Sequence, residues 1–200
     1  MDRLRALSDE LAAAVTQAGR AMLAVHARPR LPSTGVHWRS GLVVTANHTV
    51  HADDGVTVTR PDGRAVPATL VGRDPARDLA VLRVDGTDLP VAEIGDADAV
   101  RVGHMVLALG AGPRASWGVV SAIGDHARHA DGDLFSLDLT LYAGFSGGPL
   151  VDADGRIVGV NTSGMSRQMQ VAVPATVVGR TVDALVSHCL LYTSDAADEL

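Results

Sequence analysis

The run Gly144-Phe145-Ser146-Gly147-Gly148-Pro149-Leu150 places a serine among three glycines, a composition that only an unusual backbone needs. Glycine reaches positive φ without a Cβ clash. A glycine two residues before a serine therefore lets the chain turn until two backbone N–H groups, here those of Gly144 and Ser146, point at one spot in front of the hydroxyl. An oxyanion would form at that spot. A serine hydroxyl is a poor nucleophile at neutral pH, so the run carries chemistry only if the chain also supplies a base and an orienting carboxylate.

The remainder reads as strands. Short runs rich in Val, Ala and Leu, separated by Gly, Asp and Pro, favour an all-β barrel or sandwich over a helical bundle. Strands are expected at 22–27, 35–38, 41–50, 56–59, 65–71 and 79–84, and six more at 105–109, 117–123, 135–139, 150–151, 157–161 and 169–173. The turn-rich stretch 85–90 separates these two sets. Leu4, Leu7, Leu11, Ala12 and Val15 recur at three and four, the spacing of an amphipathic helix at the N-terminus. Val177, Val178, Val182, Leu185 and Val186 repeat that spacing after Pro174, which suits a helix start, and predict a closing helix over 175–187.

A net charge of −6 argues against a general nucleic-acid or anionic-membrane binder. No twenty-residue apolar run is present to span a membrane. The start Met1-Asp2-Arg3-Leu4-Arg5 has charges but no apolar signal core, so a cytoplasmic protein is expected, with the cell envelope as the alternative. The run from Cys189 to Glu199 breaks with the preceding composition. It resembles the translation of a transposase-type adapter used in sequencing libraries, so 189–200 is expected to be a non-native tail and the native chain to continue beyond about residue 188.

Two further segments supply the missing chemistry. Thr45-Ala46-Asn47-His48-Thr49-Val50 puts a histidine at the end of a β-rich run, and Arg77-Asp78-Leu79-Ala80-Val81-Leu82 puts a carboxylate just before a buried strand. The order His48, Asp78, Ser146 is that of the chymotrypsin arrangement. With Leu89-Pro90-Val91-Ala92-Glu93-Ile94-Gly95-Asp96, Gly118-Val119-Val120-Ser121, Asp138, Asp154-Gly155-Arg156-Ile157-Val158-Gly159-Val160-Asn161 and Val171-Ala172-Val173-Pro174, these segments resemble the trypsin-like serine proteases of the HtrA/Deg type.

That resemblance implies two six-stranded antiparallel β-barrels, a first over about 22–88 and a second over about 89–174, preceded by a helix within 1–21. It implies an ATP-independent endopeptidase acting on unfolded or damaged polypeptides, with Ser146 as nucleophile, His48 as general base and Asp78 as its orienting carboxylate. The N–H groups of Gly144 and Ser146 would form the oxyanion hole. It also implies a homotrimer and a peptide-binding PDZ domain beyond this segment. A proteolytically inactive relative that binds proteins or acts as a chaperone is the alternative.

The S1 pocket is expected around Thr140, Leu141, Asn161, Thr162 and Ser163, and the lack of an acidic residue there favours small or medium aliphatic P1 side chains. Phe145 stands where this family has Asn or Asp, which would set an apolar ring beside the nucleophile. Phe145→Asn is then expected to leave turnover within about tenfold, because the hole donors are main-chain groups. Ala111-Gly112-Pro113-Arg114 departs from the family's Asn-Pro-Phe-Gly loop. His126 and His129 lie in a polar stretch that reads as a solvated hairpin loop and not as a metal site, since no third spaced ligand supports zinc. No metal or cofactor is expected.

Overall fold

The computed structural model describes residues 2–29, 31–86, 88–112, 114–124, 134–166 and 169–195, with 188–195 described by backbone path alone. The polar stretch holding His126 and His129 lies outside the described residues, as does Pro113. Helix α1 (Asp2–Gly19) leads into seven strands: β1 (Met22–His26), β2 (Ser33–Arg39), β3 (Leu42–Ala46), β4 (Thr57–Thr59), β5 (Ala65–Pro67), β6 (Thr69–Asp74) and β7 (Leu79–Arg83). Six more follow: β8 (Met105–Gly110), β9 (Arg114–Ile123), β10 (Phe135–Asp138), β11 (Pro149–Val151), β12 (Ile157–Thr162) and β13 (Gln170–Pro174). Helix α2 (Ala175–Asp195) closes the chain. It runs past the expected stop at 187, into the segment read as foreign.

The second set closes on itself as a six-stranded barrel in the order β10-β13-β12-β11-β8-β9. The first set is a seven-stranded sheet in the order β5-β4-β1-β2-β3-β7-β6. Its extra strand comes from the run 65–71, which the sequence presents as continuous and the structure divides at Ala68. Pro67 has no N–H to extend a ladder. Only Ala68 separates β5 from β6, yet the two strands occupy opposite edges of the sheet. Consecutive Cα atoms lie about 3.8 Å apart, so the two edges approach each other at that corner and the sheet curls into a half-barrel joined there by the chain itself.

Both units are filled by aliphatic side chains. Leu23, Val25, Val43, Val58 and Leu82 form the centre of the first, while Val106, Leu109, Val120, Leu150, Ile157 and Val173 form that of the second. Burying one Val or Leu side chain contributes about 1.5–3 kcal/mol, so a core with few aromatics still suffices. Strands β2, β3 and β12 are buried along nearly their whole length, because they meet the facing barrel as well as their own.

Away from the serine turn, the linker and both helices tie the two units together. His37 on β2 is fully buried; its Nδ1–H donates to the carbonyl of Pro90 in the linker (3.0 Å), and its Nε2 accepts from Gly41 N (3.2 Å). Helix α1 precedes the first barrel but covers the second: Ala14 and Ala18 are buried, Ala14 packs on Gly155, and Gln17 Nε2 donates to Glu93. Helix α2 packs across β6 and β7 of the first unit and β12 and β13 of the second, with Leu185 seated on Gly72. Arg39 on β2 pairs with Asp183 of α2 at 2.5 Å.

Among the described residues no helix is long and apolar enough to cross a membrane, and no group of three or more His, Cys, Asp or Glu side chains is placed to hold a metal ion.

Candidate active site

The register of β3 against β7 brings the first two groups together. Ala46 pairs with Leu79 at the end of the ladder. The next residues outward, Asn47 and Asp78, are joined by Asn47 N–H donating to Asp78 O at 3.0 Å. A 3-10 turn over Asn47–Thr49 then swings His48 back over the carboxylate. Thr49 fastens this turn by donating to Ala46 O at 2.7 Å.

Asp78 has φ of 55°, the only positive φ at a non-glycine residue among those described. Such strain costs on the order of 1–3 kcal/mol and persists where surrounding structure holds it. Here the surroundings are explicit. The carboxylate is buried, so each lone pair needs a donor. Oδ1 accepts from His48 N at 2.7 Å, and Oδ2 accepts from His48 Nδ1 at 2.6 Å and from the hydroxyl of Thr162. Donation from Nδ1 leaves Nε2 as the basic nitrogen. Gly164 covers the pair so closely that a Cβ there would lie 2.6 Å from His48 Nδ1 and 2.7 Å from Asp78 Oδ2.

Ser146 arrives from the second barrel in the turn leading into β11. Gly144 has φ of 92° and Gly147 of 83°. Gly147 lies against the backbone of the first barrel, where a Cβ would sit 2.2 Å from Thr34 O and 2.7 Å from Ala46 N. On the other side, Gly147 N donates to Asn161 O and Asn161 N to Gly148 O, both at 2.8 Å. Thr34 is the bridge between barrels: its N–H donates to Ser146 O (3.1 Å), and its hydroxyl donates to Gly144 O (2.7 Å) while accepting from Ala111 N (2.8 Å). Within the turn, Phe145 N–H is spent on Tyr142 O at 3.0 Å. The N–H groups of Gly144 and Ser146 on either side have no protein acceptor among the described residues.

His48, Gly144, Ser146, Ser163 and Leu141 line one open cleft of about 370 Å³, with Arg28, Pro29, Leu31 and Tyr142 around its mouth. The Ser146 hydroxyl is hydrogen-bonded at 2.9 Å to that of Ser163, and among the described residues not to His48.

Of the residues expected to wall an S1 pocket, only Leu141 and Ser163 line this cleft. Thr140 is exposed, its N–H bound to Ser116 Oγ. Asn161 is fully buried and donates to Pro149 O at 2.8 Å, while Thr162 turns its hydroxyl to Asp78. Alternation along β12 sends Thr162 to the face opposite Asn161, and Ser163, just past the strand end, is the one that reaches the cleft.

The ring of Phe145 is not beside the nucleophile. It is fully buried against Gly110, edge-on to Tyr142 (centroids 5.5 Å apart), with the Arg114 guanidinium 5.5 Å from its centroid. Sequence reasoning had no signal for Thr34 or Gly164, which look like an ordinary strand residue and a loop glycine.

The profile of the trypsin-like peptidase domain matches residues 33–160. A DegP-like periplasmic serine endoprotease of Chlamydia pneumoniae is 37% identical over 157 residues, which are 73% of this chain and 32% of that protein. The protein of the same name from Marinomonas sp. (strain MWYL1) is 35% identical over 173 residues, 80% of this chain and 36% of its own length. The chain thus spans about a third of the curated relatives it matches. Among solved structures, the HtrA-type protease AlgW with a tripeptide has a TM-score of 0.80 and 32% identity, covering 89% of this chain and 64% of that one.

These findings bear out the HtrA/Deg resemblance and correct one expectation. The relatives are named as periplasmic, which overturns the cytoplasmic reading. That reading rested on the charged start, and residues from Asp2 onward are the first turns of a folded helix, which carry no information about compartment.

Proposed function

This chain belongs to the trypsin-like peptidase domain family, and from that premise we propose that it is a serine endopeptidase working through Ser146, His48 and Asp78. Ser146 Oγ attacks the scissile carbonyl, and His48 Nε2 takes its proton and returns it to the leaving amine. Asp78 holds the imidazole tautomer and stabilises the imidazolium. The N–H groups of Gly144 and Ser146 stabilise the oxyanion, and losing one such donor typically costs about 10²–10³ in kcat. The observation that carries this reading is the buried Asp78 carboxylate held at 2.6 Å from His48 Nδ1 in the cleft that also contains Ser146.

The substrate class is unfolded or damaged polypeptide, cleaved without ATP in protein quality control, in line with the HtrA/Deg kinship. Among the described residues, those lining the cleft include the cation Arg28 and no carboxylate, which supports small aliphatic P1 side chains over Lys or Arg. A homotrimer and a PDZ domain outside this segment belong to the same proposal.

One observation favours a second reading, a proteolytically inactive protein-binding module: the Ser146 hydroxyl is bonded to Ser163 instead of His48. A fluorophosphonate probe separates the two. Labelling that disappears in Ser146→Ala supports the peptidase, and a folded protein that resists labelling supports the binding module.

A further inference from the structure

A second cavity of about 570 Å³ lies away from the cleft, between the end of α1, strand β1 and the turn joining β8 to β9. Its wall is mainly apolar, with Val15, Met22 and Leu109 among the residues facing it, yet Arg20, Arg60 and Arg114 stand around it. Three guanidinium groups at one apolar cavity are unexpected in a chain of net charge −6. Arg20 is exposed and forms no ion pair among the described residues. The side chain of Arg60 is only 9% exposed; its Nη2 meets Asp88 at 2.5 Å and Asp62 at 3.4 Å. Its Nε–H is buried with no acceptor. A buried N–H without a partner costs about 1–3 kcal/mol, so Arg60 gains if a small movement lets an acceptor reach it.

We propose that this cavity binds an amphipathic carboxylate, an alkyl chain lying on the apolar wall and its anionic head on Arg60 and Arg20. The volume falls within the range of about 300–1,000 Å³ typical of small-molecule sites. The charge pattern selects the head group: a carboxylate accepts several N–H bonds at once, whereas a cation is repelled and an alcohol offers a weaker acceptor.

The third arginine links the cavity to the serine turn. Arg114 donates to Ala143 O at 3.0 Å and to Ala111 O at 3.2 Å, and lies over the Phe145 ring. Its Nη2 is close enough to Gly144 that a Cβ there would lie 2.8 Å away. A ligand that draws Arg114 toward its head group acts on the carbonyl of Ala143 and so on the peptide that carries Gly144 N–H. This coupling does not depend on Ser146 being a nucleophile.

The test is calorimetric titration of decanoate, below its micelle concentration, into the full chain, with decanol and decyltrimethylammonium in parallel. Decanoate is expected to bind one per chain and about tenfold or more tighter than decanol, the worth of a charge-assisted hydrogen bond. Decyltrimethylammonium is expected not to bind. Gly19→Leu adds bulk at the cavity wall, where a Cβ meets nothing within 4 Å, and is expected to abolish binding. Arg60→Gln is expected to erase the preference for decanoate over decanol; should it fail to fold, Arg20→Gln at the exposed position is expected to reduce that preference. Hydrogen exchange of residues 142–148 is expected to slow with decanoate in the parent and not in Gly19→Leu. Equal binding of decanol, or binding that survives Gly19→Leu, overturns the site. Unchanged exchange at saturation overturns the link to the turn.

Discussion

The hydroxyl of Thr162 donates to the same Asp78 oxygen that meets His48 Nδ1, so one carboxylate oxygen from the first barrel is shared between its own histidine and a side chain of the second. The interface between barrels is therefore part of what holds His48 in position. Thr162→Val keeps the shape and removes the donor from a buried charge, a loss of about 1.5–3 kcal/mol, or roughly ten- to a hundredfold in kcat/KM if it falls on the transition state. Thr162→Ser is expected to recover most of it. Peptide hydrolysis, with thermal melting as a check on folding, measures both.

Gly110 and Phe145 are coupled by space. A Cβ at Gly110 would lie 2.5 Å from Phe145 Cδ1, so Gly110→Ala must push the ring and the serine turn with it. Truncating a buried phenylalanine costs about 3–5 kcal/mol. Phe145→Asn also buries an amide in that space, so the expectation of near-normal turnover, which treated the ring as a neighbour of the nucleophile, is replaced by a loss of stability of similar size. Chemical denaturation is the measurement; an unchanged midpoint would show that the turn reorganises freely.

Ser163 holds the Ser146 hydroxyl. With its hydroxyl gone in Ser163→Ala, Ser146 Oγ loses its 2.9 Å partner and is free to turn toward His48. Fluorophosphonate labelling is then expected to be as fast as in the parent or faster. A large drop would instead make Ser163 a group that positions Ser146 for reaction.

The clamp between β2 and α2 responds to acid. The hydrogen bond from Arg39, helped by its charge, holds the Asp183 carboxyl below its ordinary value of 3.8, while the Arg39 guanidinium is raised in turn. Because the folded-state value is the lower one, the pair stabilises the protein above the ordinary carboxylate range. That contribution is lost as pH falls through 3.8 toward the depressed value. Asp183→Asn is expected to lower the melting temperature slightly near neutral pH and to leave a shallower decline on acidification. Both partners are solvent-exposed, so the effect is small and fades at high salt.

The proposed triad residues stand out in the sequence because their signals are short-range. A serine among glycines, a histidine at a strand end and an aspartate before a strand each impose a local backbone. The register of β3 on β7 then needs only one ladder to bring His48 to Asp78. The strands were legible for the same reason, to within a residue or two at most ends.

What the tertiary structure alone decided is which side chains meet across the two barrels. Thr34, Thr162 and Gly164 have the same local sequence character whether they face solvent or the interior of the site. Their roles come from the packing of β12 against β3 and of the serine turn against β2, segments far apart in the chain. The destination of the Phe145 ring, the split of 65–71 between opposite sheet edges and the helix α1 that covers the distant barrel are likewise long-range outcomes. The physical reason is that strand pairing and interbarrel packing act between residues far apart in the chain, where hydrophobic pattern marks a face as buried without naming what buries it. The turn at Gly144 to Leu150 carried its own shape in its glycines, and only the fold supplied its partners.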